Sequence, residues 1–339
     1  MSPAMARQNK LEADLEKGFT ALEDGNIEGA VAVSERLQKV DAKNPHVMAL
    51  MAAVADAQGE AETALGIYRS ITEATPDDPV SRICAARIEL RDLGDPEAAL
   101  ETVEAAFEYI DEERDLVEAI LVRTEALIAT DDLPAARASL GELASSVIDE
   151  PILALDLAEL ALAAEDPSAA IKWIDVAKAD EELEADAMHL LGKVHEFRDE
   201  RPEMIAAWKR VRELDSKLPP AEVEISDDEV DRIATAALQL LPAEVRAKLE
   251  KVPILIDTMP SAEQLAEGID PRILGLFDGS PAADDLAPEV TKIHLFKHNL
   301  ERASGDLDEL EEQITITVLH ETAHYFGLDE EELEELGLG

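Results

Sequence analysis

GNIEGAV (25–31), GEAETAL (59–65), GDPEAAL (94–100), DDLPAAR (131–137), EDPSAAI (165–171) and ERPEMIA (200–206) set the architecture of most of this chain. Each is a turn followed by a small or apolar residue. With Ala30, Ala64, Ala99, Ala136, Ala170 and Met204 as equivalents, successive anchors lie 34, 35, 37, 34 and 34 residues apart. Seven residues beyond each anchor stand Leu37, Ile71, Ala106, Leu143, Ala177 and Val211, all apolar. Twelve residues before stand Gly18, Ala52, Arg87, Thr124, Ala158 and Gly192. Four of these six are small, which suits helices that cross closely.

The apolar residues around each anchor follow helical spacing, as in Ala64, Leu65, Tyr68 and Ile71. A second amphipathic helix fits between anchors, so each unit reads as a helix–turn–helix pair. A pair of this kind cannot bury its apolar face alone, and stacking its neighbours makes one continuous core. Tyr68 and Trp208 each fall four residues after an anchor and read as helix-packing side chains. Arg87 and Thr124, with the added length between the third and fourth anchors, predict irregular packing there.

The 34-residue period with small residues at the helix crossing resembles the tetratricopeptide repeat (TPR) family, over residues 10–217 and about six repeats. The resemblance implies an α-solenoid that holds a protein or peptide partner on its concave face. Residues 1–225 carry 22 basic and 50 acidic side chains, which argues against the subtype that clamps an acidic peptide terminus in a basic groove.

The repeat stops after the helix ending near Asp215, and Pro219–Pro220 cannot continue a helix. The reading places a linker at 218–227 and a small α/β domain at 228–339. DEVDRIATAALQLLP and AEVRAKLEK read as helices; VPILIDT and VTKIHLFKH have the β-branched enrichment of strands; ILGLFDGSP reads as a short strand entering a turn. His294 and His298 are expected on one strand, facing one side.

The last helix carries TVLHETAHYFGLDEEE (317–332), with the pattern H-E-x-x-H. His320 and His324 are four apart, so both imidazoles project from one helical face and can share a metal ion. Glu321 lies beside the first of them, where it can take a proton from water activated by the metal. At this composition the pattern arises by chance about 0.02 times per chain. Imidazole and carboxylate donors suit one zinc ion per chain. Gly327 lets the chain swing back after the helix. Of Asp329, Glu330 and Glu331, Glu330 is the expected third ligand. Tyr325 is expected to pack beside the site.

LLPAEVRAKLEKVPILIDTMPS, ILGLFDGSP, IHLFKHNLER and VLHETAHYFGLDEEELEEL, in that order, resemble the minimal zincin-like bacterial metallopeptidase family over about residues 228–337. That resemblance implies zinc on His320, His324 and an acidic residue after the glycine, with Glu321 as catalytic base. The family commonly has aspartate where Glu330 stands, so Asp329 remains the alternative ligand. The implied activity is zinc-dependent peptide hydrolysis beside a recruiting repeat array. The alternative is a non-catalytic TPR adaptor or scaffold with a structural or vestigial zinc site.

Composition narrows the classes further. Thirty basic against 77 acidic side chains give a formal net charge of -47, which repels phosphate backbones and anionic lipid. Nucleic-acid and membrane-surface roles are therefore not expected. One cysteine, Cys84, excludes an internal disulfide and a thiolate zinc cluster. The N-terminal stretch has no apolar core of a secretory signal, and a cytoplasmic protein is expected. The oligomeric state is left open.

Overall fold

The computed structural model describes residues 3–249, 252–279 and 292–325, and the chain divides into two compact units, 1–177 and 178–339. The first unit holds ten helices in five pairs. They are α1 (Pro3–Glu23), α2 (Ile27–Asp41), α3 (Pro45–Ala57), α4 (Ala61–Ala74), α5 (Pro79–Arg91), α6 (Pro96–Glu104), α7 (Glu113–Ala129), α8 (Leu133–Gly141), α9 (Pro151–Ala163) and α10 (Pro167–Ala177). Each helix packs against the next in sequence, which is the α-solenoid the period predicts.

The anchor positions explain why. Ala30, Ala64, Ala99, Ala136 and Ala170 are wholly buried, and so are Ala106, Leu143 and Ala177 seven residues on. A larger side chain at an anchor would hold the paired helices apart. The turn inside each pair has its own signature, five residues before the anchor. Gly25 (φ 70°), Gly59 (75°), Gly94 (63°), Asp131 (60°) and Glu165 (58°) all take the left-handed backbone that reverses the chain. The following residue often caps the second helix: Asn26, Asp95, Asp132 and Asp166 accept hydrogen bonds from the N–H groups of Gly29, Ala98, Ala135 and Ala169.

The expected irregularity falls where the sequence placed it. A short 3-10 turn at Phe107–Tyr109 takes up the extra length. Arg87 turns outward and pairs with Glu118 of α7, while its neighbours Ala85 and Ala86 fill the core. Thr124 is fully buried, and its hydroxyl donates to Ser139 Oγ at 2.9 Å. Arg123, 8% exposed, donates to the same Ser139, pairs with Glu142 and lies 4.2 Å from the centroid of the Phe107 ring. This junction is held by polar contacts, whereas the crossing position is alanine in two other repeats, at Ala52 and Ala158.

The second unit begins with one more helix pair, α11 (Glu184–Phe197) and α12 (Arg201–Asp215), with the same left-handed turn at Asp199 (φ 56°). Gly192 is what lets these two helices meet, because a Cβ there would stand 2.0 Å from the Trp208 indole nitrogen. After the Pro219–Pro220 break come α13 (Asp227–Leu240), α14 (Ala243–Leu249), β1 (Ile254–Asp257), α15 (Ala262–Glu267), β2 (Gly275–Asp278), β3 (Lys292–Phe296), α16 (Lys297–Arg302) and α17 (Leu307–Tyr325). The described strands form one sheet in the order β1-β3-β2, with β1 parallel and β2 antiparallel to β3. Its core face meets α13 and α17 through Val230, Ile233, Ile293, Leu295, Ile314 and Val318.

One expectation is corrected. His298 is not on the strand with His294: β3 ends at Phe296, and His298 lies in α16. Leu300, four residues past Phe296, is buried against the core and draws the chain into a helix there.

Candidate metal centre and cleft

Helix α17 divides its faces. Leu310, Ile314 and Val318, spaced by four, are wholly buried in the sheet–helix core. Gln313, Thr317, His320, Glu321 and His324 form the neighbouring stripe and line a cleft. The two imidazoles stand edge to face, 81° apart, with their Nε2 atoms 2.9 Å from each other. Two nitrogens on a tetrahedral zinc stand about 3.3 Å apart. The pair therefore fits a shared ion with a side-chain adjustment of a few tenths of an ångström, about the freedom of one χ angle.

Glu321 is 7% exposed, and its Oε2 accepts the Phe277 N–H at 2.6 Å. The register explains this bond. Leu276 pairs with His294 on the β3 side, and alternation turns the Phe277 N–H to the outer edge of β2. Gly275 sits between them: a Cβ there would lie 2.6 Å from Thr317 Cγ2 and 2.9 Å from Glu321 Cγ. Its missing side chain lets β2 and α17 approach closely enough for the strand to hold the carboxylate. Periodicity did not single out Gly275 or Phe277; the ILGLFDGSP stretch was the only sign of them.

The cleft has a volume of about 550 Å³. Besides β2 and α17, its lining includes Trp208 of α12, Glu196 of α11 and, from the stretch after α15, Gly268, Ile269, Asp270, Ile273 and Leu274. Polar anchors fix that stretch. Asn299, 7% exposed, donates to the Pro271 and Ile273 carbonyls. Arg272 pairs with Asp215 of α12 and Asp186 of α11. Asp270 receives His189 Nε2 at 2.9 Å, Lys193 Nζ at 3.0 Å and the Arg272 N–H at 2.8 Å. Burial pushes the Asp270 carboxyl up, but His189, the Arg272 N–H and Lys193 together outweigh it and hold it at about 2.

His294 lies away from this cleft. Its Nδ1 meets Asp257 Oδ2 at 2.6 Å, and its ring stacks with Phe296. His298 Nε2 accepts from Arg302, and burial followed by the Arg302 charge pushes it below the ordinary imidazole range. Glu330, its alternative Asp329, Gly327 and the Tyr325 side chain lie outside the described residues. Among the described residues, no three His, Cys, Asp or Glu side chains come together in a way that could hold a metal ion. Nor is any described helix long and apolar enough to cross a membrane.

Comparison with known proteins bears on both parts. Residues 249–339 match the model of the zincin-like metallopeptidase family. No curated protein matches the chain. Among solved structures, the chain is similar to PilW, described as a widely conserved type IV pilus biogenesis factor, with a TM-score of 0.51 and 16% identity over 60% of this chain and 92% of that one. It is similar to Pseudomonas aeruginosa PilF, with a TM-score of 0.51 and 15% identity over 63% of this chain and 95% of that one. A thermophilic TPR protein of Thermus thermophilus aligns at 20% identity with a TM-score of 0.46, over 53% of this chain and 98% of that one. At these identities the likeness is one of fold. The chain combines a TPR-like helical array with a zincin-like segment.

Proposed function

We propose that this chain is a zinc-dependent peptidase whose helical repeats recruit a protein partner or substrate. The observation that carries the reading is the convergence of the His320 and His324 Nε2 atoms beside a buried, strand-held Glu321 at the end of a cleft. The match of residues 249–339 to the zincin-like metallopeptidase family supports it.

His320 and His324 would hold the ion, with Glu330 as the third ligand. Zinc, when bound, supplies Lewis acidity that brings the pKa of water towards neutrality and polarises a carbonyl. Glu321 accepts the proton of the attacking water and passes it to the leaving nitrogen. The Phe277 N–H holds that carboxylate in place. The TPR-like fold supports a protein partner on the array. The acidic composition and single cysteine suit a cytoplasmic setting.

Glu321→Gln tests the chemistry. It should keep one zinc per chain and lower kcat on an unfolded protein substrate by about a thousandfold or more. Full hydrolysis by this variant would contradict the mechanism. Bound zinc without hydrolysis in the parent chain would leave the adaptor reading.

A further inference from the structure

One wall of the cleft, built on Ile269, Asp270, Ile273 and Leu274, is pinned to the last helix pair of the repeat pattern. Trp208 lies wholly buried in the lining, and Ile269, Ile273 and, from α17, Ile316 present half-buried apolar side chains to the cleft. Five polar anchors lock this wall in place. They are the Arg272 pairs with Asp186 and Asp215, the His189 and Lys193 contacts to Asp270, and Arg201 donating to the Glu267 carbonyl at 2.7 Å. A wall so fixed has a set shape, and an apolar wall of set shape selects by side-chain size and polarity.

The charges are equally one-sided. Among the described residues, no Lys or Arg lines the cleft, whereas Glu196, Asp270 and Glu321 do. Asp270 is occupied by His189 and Lys193, and Glu321 by the Phe277 N–H. Glu196 is exposed and has no ion-pair partner among the described residues.

We propose that the segment carrying Ile269 and Ile273, pinned to α11–α12, is the selectivity wall of this cleft, admitting a peptide whose large apolar side chain lodges among Ile269, Ile273 and Ile316 and whose adjacent Lys or Arg pairs with Glu196. The proposal rests on the peptidase reading for the view that this peptide is a substrate. The binding preference stands apart from hydrolysis. A polar side chain in the apolar pocket would lose its hydrogen bonds to water without replacement, and an anionic neighbour placed within a Debye length of Glu196 would be repelled by it.

Fluorescent hexapeptides with Leu–Lys, Leu–Glu or Gly–Lys at their centres, titrated against the full-length zinc-loaded Glu321→Gln chain, test it by anisotropy. Leu–Lys should bind about tenfold tighter than Gly–Lys, and Ile269→Asp should erase that advantage. Glu196→Lys should shift the Leu–Lys to Leu–Glu ratio by about tenfold towards Leu–Glu. Glu62→Lys, an exposed charge reversal on α4, should shift it less than about twofold, which separates a local contact from the field of a chain with net charge -47. Equal binding of Leu–Lys and Gly–Lys, or equal shifts from Glu196→Lys and Glu62→Lys, would overturn the proposal. Hydrolysis by the parent chain without the Leu–Lys preference would overturn the wall and leave the peptidase. The preference without hydrolysis would uphold the wall as a peptide-binding cleft and remove the peptidase.

Discussion

The pairs α9–α10 and α11–α12 follow one repeat grammar and serve two settings. Each puts a tryptophan on its second helix, Trp173 or Trp208, buried with an indole nitrogen that has no hydrogen-bond partner among the described residues. Each turns on a left-handed non-glycine residue, Glu165 or Asp199. The difference lies at the crossing position. Ala158 is wholly buried in α9, whereas α11 has Gly192, under the Trp208 ring. The first pair belongs to the repeat unit, and the second belongs to the unit that holds the sheet and the histidines. The period therefore specifies how two helices pair, and the residues off the period specify what the pair packs against.

The comparison breaks most severely at the crossing. Gly192→Ala forces a Cβ into the Trp208 ring, so it should destabilise the second unit by about 2–3 kcal/mol in chemical denaturation and disturb Trp208 emission. Ala158→Gly in α9, the opposite exchange at the equivalent position, should cost only about 1 kcal/mol, from helix propensity. Equal effects would mean that the two crossings are alike.

The anchors of α11 sharpen it next. Asp270 titrates at about 2 in the folded chain, below an unfolded carboxylate near 3.8. Its contribution is therefore complete above about pH 4 and is lost as pH falls from about 4 to 2. Asp270→Asn should cost about 2 kcal/mol at neutral pH, and the gap to the parent chain should close across that window. A gap that stays constant down to about pH 2 would remove the ion pairs from the account.

The smallest effect lies in the turns that the pairs share. Asp131→Gly, Glu165→Gly and Asp199→Gly each relieve a left-handed non-glycine residue and should each stabilise by about 0.5–1 kcal/mol in thermal unfolding. Gly25, Gly59 and Gly94 already hold glycine at this position, so the first three turns show what the last three lack.

Much of this was legible in the sequence. The anchors lie on the buried face because an alanine recurring every 34 or so residues has no other reason to be periodic. His320 and His324 converge because a spacing of four on a helix leaves them no alternative. Long-range partnerships were not legible. Arg272 and Asp215 stand 57 residues apart, and no local pattern connects them, so the period gave no sign that α11–α12 pins a wall of the cleft. Gly275 was hidden for the same reason, since its role depends on Thr317 and Glu321 from another element. His298 was misplaced because IHLFKH alternates like a strand, while the burial of Leu300 starts a helix at Lys297.

The most direct test of the account is the zinc content of the purified full-length chain, measured by elemental analysis beside the His320→Ala/His324→Ala double variant. The account predicts one zinc per parent chain and none in the variant. Absence of zinc from the parent after loading, or zinc retained by the variant, would contradict it.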